Sequence, residues 1–427
     1  MVRLSQNVEA AYEPESAYAT APGSNLYHLG LLDTFDPRQV ERSITPVPSL
    51  GQSTDAHHAV GPLGVTVPIK VACNGTGWKQ LLGKAIGGTE ILSDKRANNL
   101  TTSVESLAVI AKETGGDYTL VAGVVPNEVT LSADYTTGGY ITVEANCTGY
   151  YSLDEGDANF DGFLGDDYSG VTWPSAPSAD PLLPTDLSVT VGVAAATNKL
   201  TVDGPANSSI EIGEQYMRIF DNPTGGLDSS ISSDGILDLT AGAEDTMEEV
   251  KALIHADGNW TCTRAGSDVD SQNLLKGIYS TESSQEIFAA TSMASFTNLK
   301  TVTLKIANNN TSISGKATGD DASTKWLLNN AISRGKADVT LDLTMTAEDE
   351  TYYDMYVAGT TIPLIRLDFG THGSIALTNG TITAFSRPLS PGGETIDSMS
   401  IKFRGAGNYK NFSAYAISSS ISLNPSG

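Results

Sequence analysis

Residues 157–168 read DANFDGFLGDDY and place Asp157, Asn159 and Asp161 at alternate positions ahead of Gly162. Alternate oxygen ligands before a glycine are how a calcium loop converges on a hard cation, the glycine permitting the sharp turn. The backbone carbonyl of Phe163 falls at the next ligand position. The bidentate glutamate that would close the loop is replaced by Tyr168, so Asp166 or Asp167 must serve from a shorter loop. A plain surface turn uses the same residue types without a metal. Neither reading implies catalysis, since calcium loops of this type brace structure. The expected metal set is Asp157, Asn159, Asp161, Phe163 (backbone), Asp166 and Asp167, and structural calcium is the only cofactor the sequence admits.

Other chemistry is not assembled. GWKQLLGK (77–84) imitates a phosphate-binding loop, but five residues separate its glycines and Ala85 stands where Ser or Thr would meet magnesium. Its Trp78, Leu81, Leu82 and Ala85 fit one face of a helix better. No nucleophile elbow or zinc-protease helix occurs. His57 and His58 are adjacent and point apart on a strand, and His28, His255 and His372 are isolated. No catalytic residue is named, and the chain is expected not to be an enzyme. Cys73, Cys147 and Cys262 are an odd, widely spaced set that reads as buried free thiols. The Asn-x-Ser/Thr sequons, as at Asn74 and Asn146, read as silent.

The chain has 427 residues, 40% hydrophobic and 18% charged, enough for two or three domains. Its net charge of −25 excludes a protein that grips duplex DNA, because gripping needs a Lys/Arg footprint. DNA could still slide past such a surface. The same excess suits a very soluble protein or one from a salty cytoplasm. The first residues lack the apolar run of an export signal, and no stretch nears the roughly 18 apolar residues of a membrane span, so a cytoplasmic site of synthesis is expected.

The elements follow from periodicity. Val65, Val67, Ile69, Val71 and Cys73 alternate with polar or small residues, a half-buried strand in which Pro68 predicts an edge or a bulge. The helix of Trp78 follows. Downstream, Val339, Leu341, Leu343 and Met345 alternate in the same way and lead to Tyr352, Met355, Tyr356 and Gly359. Val65 to Trp78 and Val339 to Tyr352 span the same distance in sequence, which predicts two copies of one strand-then-helix unit. Pro174, Pro177, Pro181 and Pro184 mark an extended linker. Beyond it come short strands and a helix opened by a Thr246–Glu249 capping box, with Val250, Leu253 and Ile254 on one face. The predicted organisation is an arm over 1–60, a first half over 61–175, an inserted α+β module over 186–285 and a second half over 290–427.

Taken together, SITPVPSLGQST, VTVPIKVACNGTGWKQLLGKAIGGT, GGYITVEANCTGYY, KTVTLKIANNNTSISGK and VTLDLTMTAEDETYYDMYVAGTTIPLIRLDF resemble the major tail tube proteins of long-tailed viruses of bacteria or archaea, over roughly 25–150 and 295–420. The resemblance implies a mainly β chain: a tail-tube β-sandwich or barrel with a flanking short helix, here duplicated, plus the inserted module as outer decoration. It implies a structural virion protein, located in the tail and assembled in the host cytoplasm, that self-assembles into stacked rings around ejected DNA. The partners it implies are further copies of the chain, other tail and head–tail connector proteins, and viral DNA held without specific contacts; membrane insertion is not expected. A duplicated chain would close as a pseudo-hexameric trimer, a single-fold chain as a hexamer. The alternative is a β-rich surface-layer, capsid-decoration or adhesive tail protein.

Overall fold

The computed structural model describes residues 8–15, 18–19, 26–37, 39–47, 57–86, 106–112, 118–154, 173–192, 194–214, 216–221, 228, 230–232, 235–291, 293–316, 326–333, 335, 338–347, 350–388, 394–403 and 421–424. The chain is mainly β, as expected, and its sheets are almost wholly antiparallel.

The first repeat begins earlier than its alternation suggests. β1 (Glu9–Pro14), β2 (Tyr27–His28), β3 (Leu32–Phe35) and β4 (Gln39–Val47) precede the long β5 (His57–Ala72). Helix α1 (Gly77–Ile86) follows, then β6 (Leu107–Lys112), β7 (Tyr118–Asp134), β8 (Thr142–Gly149) and β9 (Tyr151–Asp154). The arm expected over 1–60 is therefore corrected: Ala10, Ala11 and Tyr12 of β1 are buried against β6. Three consecutive buried residues give no period-two signal, because this strand is covered on both faces. The linker after β9 lies along the repeat, the Leu182 amide donating to the Cys73 carbonyl and the Ile141 amide to that of Leu182 (2.9 and 2.8 Å).

β10 (Ser188–Gly192) pairs with a strand far downstream, so the inserted module starts after it. The module comprises β11 (Ala194–Asp203), β12 (Ser209–Ile212), β13 (Tyr216–Phe220), β14 (Ile236–Asp238), α2 (Met247–Ala256), β15 (Thr261–Ala265), β16 (Gly277–Ser280) and β17 (Gln285–Ala290). It folds as two small sheets, β15–β11–β17 and β14–β13–β12–β16. Its own core includes Leu200, Ile210, Met217, Ile219, Val250, Ile254 and Trp260. The capping box forms as the spacing predicts: Thr246 accepts from the Glu249 amide, and the Glu249 carboxylate accepts from the Thr246 amide.

The second repeat resumes with β18 (Ala294–Ser295), β19 (Leu299–Ala307), β20 (Thr311–Lys316), β21 (Trp326–Ser333) and β22 (Asp338–Thr346). Then come α3 (Thr351–Ala358), β23 (Thr361–Asp368), β24 (Ser374–Ser386), β25 (Ile396–Phe403) and β26 (Ile421–Asn424). Gly359 closes α3 with φ 63°, a left-handed cap that glycine adopts without strain.

The two repeats share topology and register. In the first, β5 pairs with β8, β8 with β7, and β7 with β6 and β9. In the second, β22 pairs with β25, β25 with β24, and β24 with β23 and β26. β1 pairs with β2 and β6 as β10 pairs with β18 and β23. Both repeats also interrupt the β3–β5 or β19–β22 ladder at one extra residue, Asp33 or Lys300. The single β5 of the first repeat corresponds to β21 and β22 together. Pro68 is not on an edge, as β5 has neighbours on both sides; its missing donor falls where the facing chain breaks between β3 and β4.

Pairing of β7 with β19 joins the repeats into one continuous sheet, in the order β5–β8–β7–β19–β22–β25–β24. Inward-facing Val67, Ile69, Val143, Leu131, Leu304, Leu341 and Ile401 belong to one core shared by both repeats. Its largest member is Trp78 of α1, whose ring meets Phe369 of the second repeat at 5.3 Å.

Candidate functional site

Strict alternation along the continuous sheet sends every second side chain away from the core, and those side chains form one broad face. The strands supply it with small hydroxyls and a few charges. One rung runs Ala72, Thr142, Ser132, Thr303, Asp342, Ser400, Ala384, and the next Lys70, Glu144, Thr130, Lys305, Thr340, Lys402, Thr381. A third, Asp134, Thr301, Thr344, Ser398, Ser386, ends in a shallow groove lined also by Asp342 and Phe385. The Thr301 and Thr344 hydroxyls hydrogen-bond across the strands. Thr and Ser suit this position because they pack on a pleated surface and leave no long flexible side chain standing in the space above it.

The lysines of this face are each tied to a carboxylate: Lys70 to Asp33 at 2.6 Å, Lys305 to Glu128 at 2.8 Å and Lys402 to Asp338 at 3.0 Å. Hydrogen bonding to Asp33 raises the Lys70 pKa. Asp134 is drawn below its ordinary range by hydrogen bonds from the Thr136 side chain and amide. Glu144 and Asp342 are exposed on the same face. Among the described residues, the face is therefore a floor of hydroxyls on which each lysine already has a carboxylate partner.

A second charged group sits where the module meets the second repeat, and no local sequence signal announces it. Arg366 of β23 donates through Nε to Glu214 Oε1 at 2.5 Å, and Lys276 Nζ lies 3.4 Å from Glu214 Oε2. Ser374 Oγ donates to the same carboxylate at 3.0 Å, and both Lys276 and Arg366 donate to the Gln272 carbonyl. Glu214 and Lys276 are wholly buried, and burial pulls the lysine pKa down to about 8. The counterpart of Arg366 in the first repeat is Ile110, which pairs with Ala11 of β1 as Arg366 pairs with Thr190 of β10. Ile110 lies in an apolar cluster with Leu120 and Tyr150. An apolar contact in one repeat is thus an ionic dock for the module in the other.

The remaining sequence candidates fall as follows. Asp157, Asn159, Asp161, Phe163, Asp166 and Asp167 all lie outside the described residues. Among the described residues no cluster of His, Cys, Asp and Glu could hold a metal. The phosphate-loop mimic is the first two turns of α1, with Trp78, Leu81, Leu82 and Ala85 buried. Cys73, Cys147 and Cys262 are buried free thiols, their pKa values raised by desolvation. Among the described residues no helix is long and apolar enough to cross a membrane.

No protein-family model matches the chain, and no curated protein matches it. Several solved structures are similar over part of it, two of them from gene transfer agent particles. One is a chain from the tail of an empty gene transfer agent (GTA) particle, refined with helical C6 symmetry, at 15% identity and a TM-score of 0.21, covering 27% of this chain and 84% of that one. The other comes from the virion of a native GTA particle, at 11% identity and a TM-score of 0.21, covering 31% of this chain and 88% of that one.

Proposed function

We propose that this chain is a non-catalytic structural subunit of a viral tail tube, in which copies join into rings, rings stack, and duplex DNA passes through the bore. The observation that carries the reading is the continuous two-repeat sheet, whose outer face is floored by Ser and Thr and keeps its lysines ion-paired. Edge-to-edge joining of repeats is already present once inside the chain, at β7 and β19. Repeating it between chains builds a closed barrel and removes the exposed edges that would otherwise aggregate. With two repeats per chain, three chains make a pseudo-hexameric ring. The module, with its own core, decorates the outside.

Electron microscopy of the purified protein, with and without calcium, tests the reading. Stacked rings with threefold symmetry and a bore wide enough for duplex DNA are expected. A compact monomer that forms no rings at any concentration would overturn the tube in favour of a decoration role.

A further inference from the structure

The internal joint between the repeats is a template for a joint the single chain leaves open. Along one edge β7 carries β8 and β9; along the other it carries β6 over its first half and β19 over its second. Its counterpart β24 carries β25 and β26 along one edge and β23 over the first part of the other. Beyond Thr381 that second edge has no strand beside it among the described residues. The counterpart of β19 in the first repeat is β3 with the start of β4, paired only to β5. Each end of the chain therefore presents the half-joint that the other end lacks.

The side chains tell the same story. Helix α1 lies against β19 and β26 of the second repeat, and its Leu81 and Leu82 are fully buried. Helix α3 occupies the equivalent place, yet none of its residues is buried: Tyr353, Tyr356 and Val357 are 44%, 39% and 66% exposed. At the opposite end, beside β3, Tyr27 and Leu31 are 50% and 52% exposed. An apolar patch at each end, next to each open edge, is what a head-to-tail contact would cover.

We propose that the β24 edge at Ala384–Ser386 pairs antiparallel with the β3–β4 edge of a second copy of this chain, in the register of β7 with β19, and that this contact buries α3. The register follows residue by residue. Thr130 and Ser386 correspond, being the partners of Glu144 and Ser398, which face Lys70 and Thr344. Lys305 and Gln39 correspond, being the partners of Thr340 and Thr66. Thr130 pairs with Lys305; Ser386 therefore pairs with Gln39 of the next copy. Both are exposed in the single chain. The inference rests on the ring reading above, and its failure can be told apart from that of the ring.

The experiment places cysteines at both positions in the full chain, Gln39→Cys with Ser386→Cys, and oxidises gently before a denaturing gel. Directly opposed strand residues are close enough for a disulfide, so chains linked between copies are expected. Thr130→Cys with Lys305→Cys, which reports the internal joint, serves as the control and should close within one chain. Rings in the microscope without linkage at 39 and 386 would overturn the joint and leave the tube standing. Neither rings nor linkage would overturn both. A second variant, Tyr356→Lys, should keep the melting profile of a folded chain and lose assembly; unchanged assembly would overturn the burial of α3.

Discussion

Asn127 and Thr383 are the same residue of the repeat. Each is the one extra residue in its ladder: Pro126 and Glu128 face consecutive residues Cys147 and Asn146, as Ile382 and Ala384 face Ile401 and Ser400. Two bulges at matching positions are hard to obtain except by duplication of one unit, since bulges are specified features of a strand. The first is also clamped from the second repeat, the Asn308 amide donating to the Asn127 carbonyl at 2.8 Å and the Asn310 amide to its Oδ1 at 3.1 Å.

Deleting Asn127 is expected to abolish folding. The bulge sets the phase of Val129, Leu131 and Ala133, all inward-facing, and a one-residue slip turns that set to the solvent face. Asn308→Ala removes only one clamp, its Nδ2 donation to the Pro126 carbonyl, and should cost about 1–2 kcal/mol. Urea unfolding measures both; a deletion variant with a normal midpoint would refute the phase argument.

Docking of the module through Glu214 gives a mutational and a pH prediction. Glu214→Gln leaves Lys276 buried, and the partly buried Arg366 beside it, without their counter-charge and should cost about 3–5 kcal/mol. The lysine itself titrates near 8 when folded against an ordinary 10.5. Between those values the unfolded chain binds the extra proton, so this group makes stability rise with pH across that window. Lys276→Met should remove the rise. Melting temperatures of both proteins from pH 7 to 10.5 test it, and parallel curves would show that the lysine carries no such term.

The two helices should respond unequally in the isolated chain. Trp78→Ala opens a cavity in the shared core and is expected to cost about 3–5 kcal/mol. Tyr352, its counterpart on α3, stacks on Phe296 at 5.2 Å but stays partly exposed, so Tyr352→Ala should cost less than half as much. Equal losses would mean that α3 is already as well covered as α1.

The contrast also shows what the sequence carries. Alternation at Val65–Cys73 and Val339–Met345 announces the two central strands, because one face of each is wet. The Thr246–Glu249 box and Gly359 announce helix ends, because capping is local chemistry. β1 is silent, since a strand buried on both faces has no alternation. β10 is legible as a strand, Val189 and Val191 alternating with polar residues, but its place is not: it reads as part of the module, because its partner β23 lies beyond the whole module and no local pattern encodes a distant pairing. The Glu214 dock is invisible likewise, its members Glu214, Lys276, Arg366 and Ser374 being brought together only by the fold.

The neutralised lysines of the outer face give the sharpest test of what that face is for. Glu144 and Asp342 sit on adjacent rungs among hydroxyls, and Thr130 separates Glu144 from the paired Lys305. Replacing both acids, Glu144→Lys with Asp342→Lys, adds two cations with no acid set aside for them and changes the face by four charges, while the inward core residues are untouched. Duplex DNA should then be retained at low salt and released as salt rises, because the new contacts displace counterions. The unaltered protein should retain none in the same mobility assay. If the unaltered protein holds DNA as firmly as the double variant, the face is not a passive floor, and the tube reading loses its physical basis.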